Sequence, residues 1–474
     1  METVLPEDPK KEGRIKRFLR NPIRSKEPAT TQVSLIDRLE KTPYAIRGAR
    51  TETPQTKIAR EILHLAVDVG ETMTRYSASA QEVETAMIAI TTGYGLKEVD
   101  LDVTYQSISV NYAPQGETPI QILRVARSWT DNFNGLVKIH ELITDVVERN
   151  VNVTEARDRI RFINKSPKPY ARWFASFCNS MFVACTLLTL GGGYYGAAAA
   201  FFITLFTGKI GHSLVKQRLP EIYVIAITST IMTVLAAFLA HIQFPVASSL
   251  VIASGILTLL PTMRLVSAVR DSITGYPVTA AGRVLLVSLL FLGIVAGISI
   301  GIVLITLLGL RQIDVTQTFT PPTFWYHLLL IAISSIFYAV NSQASYRILL
   351  RISLASVIGF IANTVAIDLG FGPRLTPTFA AIIVGFASRL LSKRADAPSS
   401  VIYIPAIISL LPGLMIFRST YVITIGGEAA IAGATDLVTA LMIALGIAAG
   451  VVLGDYLGQP IEQRIRGRAG GRRR

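Results

Sequence analysis

Residues 248–261 read SSLVIASGILTLLP, and residues 399–412 read SSVIYIPAIISLLP. A pair of serines, an apolar run and a terminal Leu-Leu-Pro therefore return 151 residues further along the chain. Each copy precedes a ladder of three glycines spaced four residues apart, and the two ladders are separated by 153 residues. The ladders are Gly293, Gly297 and Gly301, and Gly446, Gly450 and Gly454. The two matches indicate an internal duplication.

The composition places this duplication in a membrane. Of the 474 residues, 51% are hydrophobic and only 16% are charged, whereas about 25% of the residues of a soluble domain are charged. Between residues 173 and 454, apolar runs of about 17–26 residues alternate with short loops, and helices of that length span a hydrocarbon core about 30 Å thick. Barrel strands would be about half as long and would alternate in polarity. The sequence predicts an all-α polytopic membrane protein.

The apolar runs define ten predicted membrane helices in two groups of five. The first group comprises approximately 173–190, 193–209, 221–240, 243–262 and 284–309. The second group comprises approximately 326–343, 348–368, 375–391, 399–417 and 429–454. The two repeats therefore occupy residues 173–309 and 326–454, and a basic tail follows at 459–474.

The polar N-terminal part divides into a tail and a domain. Residues 1–55 are basic and are predicted to be disordered, and residues 56–165 are predicted to form a small α+β domain. The segment VDLDVTYQSISVNYA, residues 99–113, alternates in polarity as a strand does. Residues 120–126 indicate a further strand. Helices are predicted at 59–76, 81–92, 133–147 and 153–163.

The distribution of basic residues predicts the topology. With the N-terminal domain in the cytoplasm, ten spans leave eleven basic residues in cytoplasmic loops and three in outer loops. The cytoplasmic residues are Lys209, Lys216, Arg218, Arg264, Arg270, Arg283, Arg347, Arg351, Arg389, Lys393 and Arg394. The outer residues are Arg311, Arg374 and Arg418. Both termini are therefore expected on the cytoplasmic side of the plasma membrane.

The two copies of the repeated helix are then the fourth and ninth spans, which cross the membrane in opposite directions. The halves are predicted to be five-helix inverted repeats, related by a pseudo-two-fold axis in the membrane plane, as in many secondary transporters. The alternative is that apolar helices share a composition by chance. The glycine ladders fall on the fifth and tenth spans, where they are expected to let helices pack closely.

Both copies end in Leu-Leu-Pro, and the second copy continues with Gly413. Proline removes a backbone donor and interrupts a helix, and paired interruptions in corresponding spans point to a transport site. Pro261, Pro412 and Gly413 are therefore candidate substrate-binding positions. The alternative is that each proline only ends a helix near the membrane surface. Pro405 predicts a second interruption of the ninth span.

Polar residues inside the spans are few and costly to bury. Asn179 in the first span and Asn363 in the seventh are candidates to hydrogen-bond a substrate hydroxyl. Asp436 lies about two turns into the tenth span and is the candidate proton-coupling carboxylate, because intramembrane carboxylates serve as proton relays. An ion pair with Arg418 or Arg374 is the alternative role for Asp436.

The segment after the fourth span places an acid between basic residues. Residues 270–275 read RDSITG, and Arg283 follows. Asp271 and Arg283 are candidates for a lock on an inward gate. The alternative is a solvated loop.

Several other classes of function are disfavoured. The net charge of +14 does not indicate nucleic-acid binding, because the basic residues lie in tails and alternate loops. Gly208-Lys209 lacks the upstream glycine of a phosphate-binding loop, and residues 56–165 show no metal-ligand spacing. Cys178 and Cys185 lie in one predicted span and are expected to pack rather than to form a disulfide framework. No metal or other cofactor is predicted.

Several segments resemble the threonine/serine exporter family of actinobacteria. In the membrane part they are LLP at 259–261, RDxITG at 270–275 with Arg283, LPGL at 411–414 with Arg418, and AGVVLG at 449–454. In the soluble part they are Gly70, Ser79, Val83-Glu84, Tyr94-Gly95-Leu96 and Asp102-x-Thr104. The resemblance covers residues 56 to 458. The first copy has Pro261-Thr262 where the second has Pro412-Gly413, so the paired interruptions differ chemically.

The resemblance implies export of L-threonine and L-serine driven by the proton gradient, with a cytoplasmic N-terminal domain and ten helices. The leading prediction is a secondary transporter of small amino acids that works by alternating access. Protons and the lipid bilayer would be its other partners. Two alternatives stay open: a membrane-anchored enzyme with a catalytic N-terminal domain, and a small-solute channel. The sequence also leaves open whether the protein forms a homo-oligomer.

Overall fold

A computed structural model describes residues 54–114, 118–126, 129–393 and 396–470, with side chains up to residue 461. From Ile58 onward, the described residues belong to one compact unit. All but the last two residues of the predicted basic tail at 1–55 lie outside the described residues. Most of the predicted C-terminal tail is described only as backbone.

The N-terminal part combines helices with a small antiparallel sheet. Its helices are α1 (Pro54–Arg75), α2 (Ala80–Gly93), α3 (Phe133–Val147) and α4 (Val153–Lys165). Its described strands are β1 (Val99–Thr104), β2 (Ser107–Tyr112) and β3 (Ile120–Val125), which pair in that order. Leu63, Met87, Ile108 and Ile139 are buried in its hydrophobic core. The helices and strands predicted from the sequence are therefore present here.

One prediction for this part is corrected. The alternating segment at 99–113 is a hairpin, in which Leu101 pairs with Val110 and Val103 with Ile108. The chain reverses at Tyr105. Apolar residues occupy odd positions before the turn and even positions after it, and the two-residue turn returns all of them to one face of the sheet. This change of phase is the sequence signal of the hairpin.

The remaining helices form the membrane part. In chain order they are α5 (Arg172–Thr189), α6 (Tyr194–Lys216), α7 (Glu221–His241), α8 (Ser248–Ile256), α9 (Thr262–Ile273), α10 (Pro277–Leu307), α11 (Phe324–Asn341), α12 (Tyr346–Asp368), α13 (Thr376–Lys393), α14 (Ser399–Ile407), α15 (Gly413–Ile425) and α16 (Ala429–Gly470). Among the described residues, six helices are long and apolar enough to cross a membrane: α6, α7, α10, α11, α12 and α16. A seventh span is added if α14 and α15, which meet at a bend of 49°, count as one. The chain is thus mostly helical with six to seven candidate spans, where the sequence predicted ten.

The predicted fourth and ninth spans are interrupted helices. Residues 257–261 separate α8 from α9, and residues 408–412 separate α14 from α15. The starts and ends of α8 and α14, and the starts of α9 and α15, differ by the same 151 residues. Pro261 has φ −78° and ψ 59°, and Pro412 has φ −83° and ψ 56°. Two nearly identical backbone geometries therefore start a new helix in each half, as expected where proline cannot continue the previous one.

The boundaries of these spans also differ from the prediction. The predicted fourth span ends with its apolar run, but the chain stays helical beyond it: α9 is amphipathic, lies outside the candidate spans and continues to Ile273. Arg270 and Asp271, predicted in a loop, are therefore helical and buried. Pro405 lies inside α14 and does not interrupt it, contrary to the prediction.

The glycine ladders pack helices in the same way in both halves. A Cβ at Gly297 in α10 would overlap the carbonyl oxygen of Ala226 in α7. A Cβ at Gly450 in α16 would lie 2.7 Å from the carbonyl oxygen of Thr378 in α13. Glycine therefore permits backbone-to-backbone contact of α10 with α7 and of α16 with α13. The predicted packing role of both ladders is confirmed.

Candidate functional site

A cavity of about 750 Å³ lies beside the interruption between α14 and α15. We call it the distal cavity. Leu411, Pro412 and Gly413 line it from that interruption, and Ala253 and Leu257 line it from the first copy. The remaining lining residues are Thr186, Thr189, Leu190, Pro373, Ser409, Leu414, Met415, Arg418, Ser419, Val422 and Asp436.

The distal cavity lies at the face of the helix bundle remote from the N-terminal domain. The backbone N–H of Phe133 in that domain donates to the Ser342 carbonyl oxygen over 3.2 Å, just before α12 begins. The cavity is instead lined by Pro373, which follows the C-terminal end of α12, and by Leu190, which follows the C-terminal end of α5.

Gly413 explains why the two interruptions are not chemically identical. A Cβ at this position would lie 2.7 Å from the carbonyl oxygen of Ala253 and 2.9 Å from Cδ2 of Leu257. The start of α15 therefore lies directly against the end of α8, and only glycine allows this approach. Thr262, the corresponding residue of the first half, is buried with its hydroxyl 3.4 Å from the carbonyl oxygen of Leu260.

Two charged side chains of opposite sign share the distal cavity. Arg418 of α15 donates from Nη2 to the Gln317 carbonyl oxygen over 2.5 Å, while its Nε is buried without a hydrogen-bond partner in the described part of the chain. Asp436 of α16 is exposed on the cavity side. Within the described ranges Asp436 forms no ion pair, neither with Arg418 nor with Arg374. The cavity thus presents a carboxylate and a guanidinium group that do not neutralise each other.

The structure separates the other predicted substrate-binding residues from this cavity. Asn179 in α5 and Asn363 in α12 are half-buried, and neither they nor Pro261 are among the described lining residues. The Asn179 side-chain oxygen is buried without a partner in the described part of the chain. The cavity adds the hydroxyl groups of Thr186, Thr189, Ser409 and Ser419, which the sequence analysis missed.

Those hydroxyl groups carried no distinguishing sequence signal. Thr186 donates to the Phe182 carbonyl oxygen over 2.8 Å, and Ser419 donates to the Met415 carbonyl oxygen over 2.6 Å. Such bonds to the preceding helical turn are made by hydroxyl residues in many apolar helices. Each oxygen keeps an acceptor lone pair that can face the cavity.

The predicted gating residues Asp271 and Arg283 meet at the opposite end of the bundle. Asp271 Oδ2 lies 3.2 Å from Arg283 Nη1, and both side chains are buried, with 0% and 5% exposure. The alternative of a solvated loop is therefore wrong. The Ala80 backbone N–H donates to Asp271 Oδ1 over 2.7 Å, and Arg283 Nη2 donates to the Ala78 carbonyl oxygen over 2.7 Å. The pair thus holds the loop that leads into α2 of the N-terminal domain.

Arg270 forms a second buried link in the same place. Its Nη1 lies 2.7 Å from Oε1 of Glu82 in α2, and its Nη2 forms a short ion pair with Asp455 in α16. The guanidinium carbon lies 5.8 Å from the centre of the Tyr403 ring in α14. Charges buried this deeply are stable only while each keeps its partner. The N-terminal domain therefore supplies one partner of this cluster, Glu82, and α16 supplies the other.

Burial also changes the acidity of Asp271, which lies in α9 outside the candidate spans. Loss of hydration raises the pKa of its carboxyl to about 6, against the opposing effect of the Arg283 guanidinium and the Ala80 N–H. Desolvation disfavours the charged form of a carboxyl group. The buried position of Asp271 thus makes this proton easier to bind.

These features define a class of protein. A multi-pass helical bundle with matched interrupted helices, a polar cavity at one interruption and a closed charged cluster at the other end is the architecture of a membrane transport protein. Two family models match the chain: "Putative threonine/serine exporter" over residues 64–305 and "Threonine/Serine exporter, ThrE" over residues 327–457. The chain belongs to the threonine/serine exporter family. It is a multi-pass membrane transporter rather than an enzyme.

Individual relatives agree with this assignment. The chain is 28% identical to the "Probable threonine/serine exporter" of Mycobacterium tuberculosis over 420 residues, which cover 86% of this chain and 79% of that protein. It is 26% identical to the "Threonine/serine exporter" of Corynebacterium glutamicum over 419 residues, which cover 86% of this chain and 85% of that protein. No solved structure matches the chain.

A more distant relative has another substrate in its name. The "Probable succinate transporter subunit YjjP" of Escherichia coli is 23% identical over 261 residues, which cover 54% of this chain and 98% of that protein. Relatives of this chain are thus named for different substrates. The substrate of this chain therefore has to be argued from its own cavity.

Proposed function

We propose that the protein exports L-threonine and L-serine across the plasma membrane by alternating access, driven by the proton gradient. The observation that carries the proposal is the distal cavity, in which Asp436 and Arg418 face the same space without neutralising each other. A zwitterionic amino acid presents one ammonium and one carboxylate group. Membership of the threonine/serine exporter family supports this choice of substrates.

Each part of the substrate has a candidate partner in this cavity. Arg418 matches the α-carboxylate, because a guanidinium group donates in a planar fork to carboxylate oxygens. The start of α15 at Gly413 adds backbone N–H groups and the positive end of a helix dipole. Asp436 matches the α-ammonium group. Ser409 and Ser419 can bond the side-chain hydroxyl of threonine or serine, with Asn179 and Asn363 as candidates for a later stage of the cycle.

The proposed architecture has ten spans, arranged as five-helix inverted repeats at 173–309 and 326–454 behind a cytoplasmic domain at 56–165. Both termini would lie in the cytoplasm. The equal 151-residue offset of the two interruptions and the matching contacts of the two glycine ladders support the repeat. The distribution of basic loop residues supports the orientation.

Proton coupling is assigned to Asp436. A carboxylate that alternates between an ammonium group and a proton can link outward movement of substrate to inward movement of protons. Its place in the cavity wall, two helical turns from the start of α16, supports this role. Asp271 and Arg283 would act in gating at the other end of the bundle.

Amino-acid accumulation tests the proposed function directly. Cells with and without the protein are fed dipeptides that contain threonine or serine, and the intracellular free amino acids are measured over time. The protein should lower threonine and serine accumulation, and alanine-containing dipeptides serve as the control for general leakage. Equal accumulation in both strains would refute the export proposal. In proteoliposomes, acceleration of threonine uptake by internal threonine separates a transporter from a channel, since a pore shows none.

A further inference from the structure

One short segment of the N-terminal domain forms several of its hydrogen bonds to the membrane helices. We call residues 77–81 the plug segment. Its Ser77 carbonyl oxygen accepts from the Ser267 hydroxyl over 2.9 Å, and its Gln81 side-chain oxygen accepts from the Tyr456 hydroxyl over 2.8 Å. With the Asp271 and Arg283 bonds to Ala80 and Ala78, consecutive parts of the segment are fixed to α9, α10 and α16.

Comparison of the two halves of the internal repeat indicates the place that the plug segment occupies. Ser267 and Asp271 of α9 correspond, at the 151-residue offset of the interrupted helices, to Arg418 and Val422 of α15. Both of those residues line the distal cavity. Two of the membrane residues that hold the plug segment are therefore the counterparts of residues that surround the cavity.

The glycine-ladder helices give the same result independently. Arg283 of α10 corresponds, at the 153-residue offset of the ladders, to Asp436 of α16, which also lines the distal cavity. Furthermore, α5 and α11 start and end 152 residues apart, so Leu190 at the cavity corresponds to Ser342. The Ser342 carbonyl oxygen accepts from the Phe133 N–H of the N-terminal domain. Contacts of the domain thus follow the outline of a second, equivalent cavity.

We propose that the N-terminal domain is the inner gate of the transporter, and that the plug segment fills the inner counterpart of the distal cavity until it withdraws. The proposal rests on the proposed transport function and assigns a role to the soluble domain. An exchange of conformations between the repeats cannot by itself open the inner side, because Ala78 and Ala80 hold the side chains that would line the path. Substrate reaches that path from the cytoplasm only after the domain undocks.

The local structure of the plug segment fits a part held by docking. Ser77 has φ of 62°, a left-handed conformation that is unfavourable for a residue other than glycine. Ala80 is the first residue of α2, so its N–H has no acceptor within the helix and is free to bond Asp271. Asp271 therefore receives both a backbone N–H and the positive end of the α2 dipole.

One substitution removes this bond at a position where the backbone can accept proline. Ala80→Pro deletes the N–H that donates to Asp271, and proline is well tolerated at the first position of a helix. Ser79 already has the extended backbone that a residue before proline adopts, with φ −68° and ψ 156°. Val153→Pro is the matched control, because Val153 is the first residue of α4 and Asn152 before it is also extended.

Thiol labelling measures undocking without any transport. Ser267→Cys, in a chain with Cys178→Ala and Cys185→Ala, places the reporter beneath Ser77, and a membrane-impermeant maleimide is added to inside-out vesicles. Ala80→Pro should speed labelling at least about tenfold, the change expected when a charge-assisted hydrogen bond is lost. Val153→Pro should leave the rate at that of the parent. Equal rates in Ala80→Pro and the parent would overturn the proposal.

Cross-linking tests the transport consequence. Ser77→Cys with Ser267→Cys is joined by a short, reducible bis-thiol reagent in proteoliposomes, and threonine counterflow is measured before and after reduction. Joining the pair should abolish counterflow, and reduction should restore it. Counterflow that persists in the joined protein would refute an inner gate. If threonine is not the substrate, counterflow is absent before joining, while the labelling experiment still decides whether the domain undocks.

Discussion

Arg270 and Asp455 form a buried ion pair that ties the interrupted helix of the first half to the last helix of the second. Arg270 also pairs with Glu82, so one guanidinium group connects three separate parts of the chain. Its side chain is 7% exposed and that of Asp455 is 2% exposed. If the arginine is removed, the Asp455 carboxylate cannot be hydrated in place, whereas the Glu82 side chain is 25% exposed.

Arg270→Gln should therefore be strongly destabilising. Removal of one partner from a buried ion pair costs about 3–5 kcal/mol, and Asp455 would keep only the Arg389 guanidinium group, 3.6 Å away. Thermal unfolding in detergent should show a large loss of stability. Arg264→Gln is the control, since its 2.8 Å pair with Glu221 involves a half-exposed carboxylate and should contribute less than about 1 kcal/mol. Similar losses in both variants would contradict a special role for the buried cluster.

Gly413→Ala should impair both packing and transport. The added Cβ would lie 2.7 Å from the Ala253 carbonyl oxygen, so α15 must move away from α8. Overpacking of this kind costs about 1–3 kcal/mol. Gly208→Ala in α6, where a Cβ meets nothing within 4 Å, is the matched control and should be neutral or slightly stabilising. Unfolding temperature and threonine counterflow are measured for both, and equal behaviour would remove Gly413 from the site.

Arg418→Gln should weaken substrate binding. If the guanidinium group holds the α-carboxylate, its loss should raise the KM for threonine about tenfold or more, the effect of a lost charge-assisted hydrogen bond. Arg374→Gln removes an exposed arginine that is not among the described lining residues and should leave the KM unchanged. An unchanged KM in Arg418→Gln would show that the carboxylate binds elsewhere.

Asp436→Asn should separate exchange from coupling. Without a titratable group in the cavity wall, a pH gradient should no longer drive threonine efflux from proteoliposomes. Threonine–threonine exchange should continue with a raised KM, because the same carboxylate holds the substrate ammonium group. Asp368→Asn at the exposed end of α12 is the control. The assignment fails if pH-driven efflux persists in Asp436→Asn.

Docking of the N-terminal domain should depend on pH through Asp271. Burial raises the pKa of this carboxyl to about 6 in the docked state, and on undocking it should return to the usual value of about 4. The docked form thus binds the proton more tightly. Docking should be most favourable in acid and should weaken as the pH rises through about 6. Arg283, Arg270 and Glu82 are the charged groups that face this carboxyl.

Spin labels can measure that dependence. Cysteines introduced at Ile88 in α2 and Val278 in α10 are both exposed, so labels there should not disturb packing. The population with the shorter label-to-label distance should increase between pH 7.5 and pH 5.5, and Asp271→Asn should remove the change. A distance distribution that does not depend on pH would contradict the assignment.

Features that depend on residues near one another in the chain could be predicted from the sequence, whereas contacts between distant residues could not. The interruptions at Pro261 and Pro412 could be predicted because proline acts on its own helix. The ladders could be predicted because small residues repeat on one helix face. The bond between Ala80 and Asp271 could not, since it joins residues 191 positions apart and involves a backbone N–H that any residue but proline carries. The distal cavity was predicted only in part, because Asp436 and Gly413 stand out in sequence whereas its serines and threonines do not.

The glycine ladders set a mechanical limit on how such a protein can move. Helices α7 and α10 touch backbone to backbone, as do α13 and α16, so no flexible side chain lies between them to absorb a displacement. Each pair of helices must therefore move as one rigid body. The residues around Pro261 and Pro412 are the available hinges for these movements, because the helical hydrogen bonding is already broken there. Substitution of a glycine in either ladder should therefore impede the movement of these helix pairs, even though no ladder glycine is among the described cavity residues.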